Sequence, residues 1–166
     1  MKPKKSVWGK AMVVLMVAMS FVFTNSLTRG ADFSSIPLPD DLQIVPPDDS
    51  CPQEIKALSG KWGGEWYSPV AGIRPLPVVL VVEKVDGSKA QIIYAWVESS
   101  KNDKNWQRYN ADVELRGKKV ILSFRSDITG RKFEFYLKKL ETLEGEATYN
   151  SPRGQIKNTI TMKRFQ

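Results

Sequence analysis

Residues 109–125 read YNADVELRGKKVILSFR. Ala111, Val113 and Leu115 alternate with Asp112, Glu114 and Arg116. That two-residue period belongs to a strand with one face buried and the other in water. Gly117-Lys118 interrupts the run at the length of a tight hairpin turn. Val120, Leu122 and Phe124 then resume the alternation. The stretch is a β-hairpin with one apolar face, and the chain from residue 60 onward is written in the same style.

Eight short apolar runs separated by turn residues span 60–67, 78–85, 90–98, 109–116, 119–125, 131–137, 143–149 and 156–165. None after residue 60 carries the 3.6-residue period of a helix. Eight strands on short links make an antiparallel meander, and closing the meander hides its two unpaired edges. The expected fold is all-β: an eight-stranded antiparallel up-and-down barrel over residues 54–166. A β-sandwich is the alternative, and it would need longer crossing connections. An eight-stranded interior either fills with side chains or holds one small ligand.

The upstream sequence has two other characters. Residues 31–53 hold five prolines and five aspartates, which favour extended, solvated backbone. This segment reads as a flexible tether, with Ile36, Leu38 and Ile44 free to lie on the domain. Ser50 as N-cap and Glu54 in the first turn predict a short helical turn over 52–58. Residues 1–30 begin with the basic MKPKKSVWGK, followed by thirteen uncharged residues, 11–23. Thirteen fall short of the roughly 20 needed to span a bilayer and match the apolar region of a signal peptide. An exported protein, periplasmic or extracellular, is expected, with cleavage between Leu27 and Asp32.

The net charge of +7 divides into +5 over residues 1–31, −6 over 32–55 and +8 over 56–166. Without its leader the chain carries only +2, so the overall charge is no sign of a nucleic-acid partner, and none is expected. Histidine is absent and cysteine occurs once, as Cys51. The commonest general base and metal ligand are therefore missing, and no intrachain disulfide can form. No catalytic residue, metal or cofactor is expected. Two carboxylate pairs, Glu144/Glu146 and Asp112/Glu114, have the residue type that glycoside hydrolysis uses. Alternation turns both pairs toward water, which leaves a carboxylate-dependent hydrolase as a third reading only.

Gly60-Lys61-Trp62, following a short helical turn and opening the first strand, resembles the Gly-x-Trp signature of lipocalins and the wider calycin group. Thr-Asp-Tyr, that group's second motif, has no counterpart here. The resemblance implies that Trp62 closes one end of the barrel and stacks on a basic residue near the last strand, for which Arg164 has the right position. The stretch 60–66 also resembles the opening of nitrobindin-type haem barrels, but those hold iron with a histidine.

Loop lengths suggest where a ligand would sit. The first, third, fifth and seventh links, 68–77, 99–108, 126–130 and 150–155, are longer than the even ones. Alternate links share one end of a meander, so these four make a mouth. The expected ligand-binding residues are Trp66, Tyr94, Trp96, Trp106, Arg74, Arg108, Arg131 and Arg153, with Lys101 and Lys104 beside them. Residues 90–97 are apolar on both parities, which leaves the orientation of Tyr94 and Trp96 open. The reading is a non-enzymatic barrel that binds a small apolar, amphipathic or anionic ligand, or a cell-envelope component. The alternative is an accessory module with a filled core, presented to an envelope partner protein. A monomer is expected.

Overall fold

The structure, a computed structural model, describes residues 33–97, 105–152 and 154–166. The expected leader, Lys101, Lys104 and Arg153 lie outside the described residues. A single 3-10 turn (Phe33–Ser35) and a one-turn helix, α1 (Gln53–Lys56), precede eight strands. These are β1 (Gly60–Tyr67), β2 (Leu76–Asp86), β3 (Lys89–Trp96), β4 (Trp106–Arg116), β5 (Lys119–Arg125), β6 (Lys132–Lys139), β7 (Thr142–Ser151) and β8 (Gly154–Phe165). Each pairs antiparallel with the next, and β8 returns to pair with β1, closing an up-and-down barrel. A closed sheet has no free edge, and the sandwich is not the fold.

The strand period sends every second side chain inward. Trp62, Leu80, Ile92, Leu122, Phe135, Leu143 and Met162 are essentially inaccessible to water and fill the lower interior. Room for them comes from glycine. A Cβ on Gly64 would collide with Thr161 O and Met162, and one on Gly145 with Phe135 and Ile160. Phe135 thus occupies the space that a side chain at 145 would need.

At the closed end, Arg164 lies with its guanidinium carbon 4.2 Å from the centre of the Trp62 ring. Its Nη1 donates to Ser59 O at 2.6 Å and its Nη2 to Ala57 O at 2.6 Å, so the cation caps the carbonyls that follow α1. Trp62 Nε1 donates to Leu58 O at 2.8 Å. Gly60 has φ +126°, and a Cβ there would collide with Arg164 Nη1, so both its conformation and its bareness are required.

The segment read as a flexible tether packs along the outer wall instead. The outward side chains of β2 and β3, Val79, Val81, Ile93 and Ala95, are fully buried beneath Ile36, with Phe33, Leu38, Leu42, Trp106 and Phe165 around them. Covering that apolar surface opposes solvation of the proline-rich backbone. Ile44, by contrast, stays exposed. Polar contacts pin this strap. Val45 N donates to Glu83 O at 2.7 Å, and Arg108 binds Asp41 through both terminal nitrogens (3.1 and 2.8 Å) while its Nε reaches Glu83 Oε2 at 3.0 Å. Ser50 is not the helix cap: its N and Oγ both donate to Asp48 Oδ1, and Pro52 holds the N-cap position.

Candidate functional site

The filled core stops below the odd-numbered links. Above it a cavity of about 260 Å3 opens between the β1–β2 link, the β5–β6 link and the upper parts of β3, β4, β7 and β8. Its floor is aromatic. The Trp66 and Phe133 rings lie 5.7 Å apart, Tyr94 and Phe133 5.2 Å, Phe124 and Phe133 4.9 Å, and Tyr109 and Phe124 4.9 Å. Separations of this size are those of attractive ring pairs, so the rings of the cup pack against one another.

Tyr94 and Trp96 both point inward, on the parity of Ile92, while Ile93 and Ala95 face the strap. Both parities of β3 are apolar because both faces are covered. Trp66 Nε1 donates to Tyr94 Oη at 2.6 Å, which leaves the phenol proton available to a ligand. Burial pushes the Tyr94 phenol well above the ordinary tyrosine value, the Trp66 hydrogen bond opposing, so it stays a neutral donor at any physiological pH. Burial likewise raises Tyr109, whose hydroxyl donates to Gln107 Oε1 at 2.8 Å.

The walls above the cup are mixed. Arg74 comes from the β1–β2 link, and Arg131 precedes β6. Arg131 is the cross-strand neighbour of Tyr149, one step beyond the Lys132–Thr148 pair, and its guanidinium carbon sits 4.4 Å from the Tyr149 ring centre. Among the described residues neither guanidinium has a carboxylate partner. Among the described residues Asn158 Oδ1, buried against this cavity, has no hydrogen-bond partner. Ser68, Ser126 and Thr129 supply hydroxyls, and among the described residues no Asp, Glu, Lys or Cys lines the space.

Of the residues expected from sequence, Trp66, Tyr94, Trp96, Arg74 and Arg131 therefore share one cavity. Trp106 and Arg108 do not. Both lie on the outward parity of β4, where Trp106 joins the strap cluster and Arg108 ties Asp41 to Glu83. Their neighbours Gln107 and Tyr109 take the inward positions, and Tyr109, Ser126 and Asn158 are cavity residues the sequence analysis did not single out. The signal was available: Ser126 continues the inward series of Leu122 and Phe124, and Asn158 stands between Ile156 and Ile160.

No protein-family model and no curated protein sequence matches the chain. Solved barrels do. A redesigned β barrel superposes with a TM-score of 0.50 at 10% identity, covering 72% of this chain and 100% of that one. A de novo designed fluorescence-activating β barrel gives 0.47 at 13% identity, over 69% and 100% of the two chains. An S-type phycobiliprotein lyase from Guillardia theta gives 0.42 at 9% identity, over 68% and 90%. At these identities the likeness is one of fold.

The carboxylate pairs stand apart from the cavity. Glu114 is held by Arg116, Asp112 by Lys89, Glu144 by Lys138 and Glu146 by Lys157, all on the outer surface. Among the described residues no group of Cys, Asp or Glu is placed to hold a metal ion.

Proposed function

We propose that the protein is an exported, non-enzymatic barrel that binds one small anionic amphiphile in the cavity at its mouth. The apolar part lies on Trp66, Tyr94, Trp96 and Phe133, and the anionic group meets Arg131 and Arg74. The observation that carries this reading is a pair of guanidiniums above an aromatic cup, with no carboxylate partner among the described residues. A charge-assisted contact to a ligand anion would supply the partners these cations lack. The volume sits just below the roughly 300–1,000 Å3 common for small-molecule sites, which favours a ring-sized or short-chain body. The lack of carboxylate, lysine or thiol among the described lining residues supports binding over hydrolysis. Kinship with the lipocalin and calycin group is part of the proposal, supported by Gly60, Trp62 and Arg164 acting as one unit at the closed end.

Native mass spectrometry of the protein recovered from the envelope of its own cells tests this. The expected spectrum shows the leaderless chain with one small acid retained, which Arg131→Glu releases. A bare chain that also takes up no small organic acid in titration would replace this reading with that of a filled-core accessory module.

A further inference from the structure

The structure describes ten exposed large hydrophobic residues, and six of them, Tyr67, Val70, Ile73, Leu76, Val97 and Ile128, stand at the mouth end. Ile128 is 68% exposed and Ile73 53%. Their projection is built in. The β5–β6 link is tied by Ser126 N to Arg131 O (2.9 Å) and Gly130 N to Ser126 O (2.8 Å), with Gly130 at φ +64°. The β1–β2 link turns at Gly72, φ +83°, where Ile73 N meets Val70 O. Both links thus hold an isoleucine outward beside the cavity it helps to line.

We infer that this rim docks on an anionic lipid surface, with the aliphatic side chains entering the headgroup layer and Arg125, whose Nη1 donates to Gly130 O of the β5–β6 link, against lipid phosphates. Two features favour a bilayer over a protein. Four of the apolar side chains, Tyr67, Val70, Ile73 and Leu76, belong to the β1–β2 hairpin and Ile128 to the β5–β6 link across the opening, so they ring the mouth, and a fluid interface accepts each one singly. Asp127 is the only carboxylate on the described parts of these links, so the rim's field is cationic and complements anionic headgroups. The closed end is basic too, at Lys118, Lys119, Lys138 and Lys139, and its described turns expose Leu115 and Leu140. The inference is therefore one of shape and apolar content together with charge, and it holds whether or not the cavity is filled.

The test is co-sedimentation with vesicles of phosphatidylcholine alone and of phosphatidylcholine with equimolar phosphatidylglycerol. The chain used begins at Asp32, so that the apolar run 11–23 cannot anchor it, and it retains the whole barrel and strap. Binding to the anionic vesicles alone is expected. The double variant Ile73→Asp/Ile128→Asp should lower the partition coefficient by about tenfold, while Leu115→Asp/Leu140→Asp leaves it within about twofold. Both pairs are exposed, and unchanged circular dichroism and melting establish that the fold is intact. Failure to bind anionic vesicles overturns the inference, as does equal sensitivity to the closed-end pair. Self-association in the ultracentrifuge that Ile128→Asp abolishes, without vesicle binding, would make the rim a protein interface instead.

Discussion

Arg131 lies across the Tyr149 ring at 4.4 Å, held in place by strand pairing between β6 and β7 and by no carboxylate among the described residues. Stacking on an aromatic face orients the guanidinium without neutralising it. The fork stays available for an anion that enters from the mouth. Arg164 stacks on Trp62 in the same way at the other end, but its nitrogens are spent on the Ala57 and Ser59 carbonyls. Two similar stacks therefore do different work, one closing the barrel and one leaving donors free.

The closed end sets a stability test. Trp62→Ala removes a fully buried indole and should destabilise the fold by about 3–5 kcal/mol in urea titrations. Arg164→Lys should recover little of what Arg164→Met loses, because an ammonium cannot span both carbonyls while lying flat on the ring. Equal stability of the Lys variant and the native chain would contradict this geometry.

The strap should be separable from the barrel. Gly63→Val places a side chain where Phe33 packs, and Ile36→Asp puts a charge into the outer cluster. Either change should speed proteolytic cleavage within residues 33–45 by about tenfold or more, while the barrel keeps its β-sheet circular dichroism. Cleavage at the native rate would mean the strap is not held by these contacts.

Alkaline pH should expose Tyr94. Its folded-state value is raised above the unfolded value near 10, so the folded state keeps a proton that the unfolded chain releases. The associated stability is fully present below pH 10 and declines above it, by up to about 1.4 kcal/mol per pH unit. Tyr94→Phe should be less stable at pH 7, since Trp66 Nε1 loses its acceptor, by about 1–3 kcal/mol. The gap to the native chain should then narrow between pH 10 and 12. A constant gap across that range would show that the Tyr94 phenol titrates normally.

The barrel was legible in the sequence because most strands bury one face only. Alternation through Ala111, Val113, Val120, Leu122 and Phe124 writes the inner wall directly. β3 was not legible, because its outer face is covered by a segment some fifty residues upstream, and no local period can carry that. Trp106 and Arg108 read as mouth residues because the polar stretch before them has the character of a loop, although β4 begins at Trp106. Counting parity back from Ala111 and Tyr109 would have set both outside. Arg74 and Arg131 could be located by link length, but which of the described side chains line the cavity depends on how eight strands converge.

The central claim is tested most directly by titrating octanoate and cinnamate into the chain and following tryptophan fluorescence. One molecule of at least one of these acids should bind per chain, more tightly than the corresponding alcohol and less tightly as salt rises. Arg131→Glu and Arg74→Glu should each weaken binding by about tenfold or more, a loss of about 1.4 kcal/mol or more. Lys118→Glu/Lys119→Glu, at the closed end, should change it by less than about twofold. No binding of either acid, or greater sensitivity to the closed-end pair than to Arg131, would contradict the account.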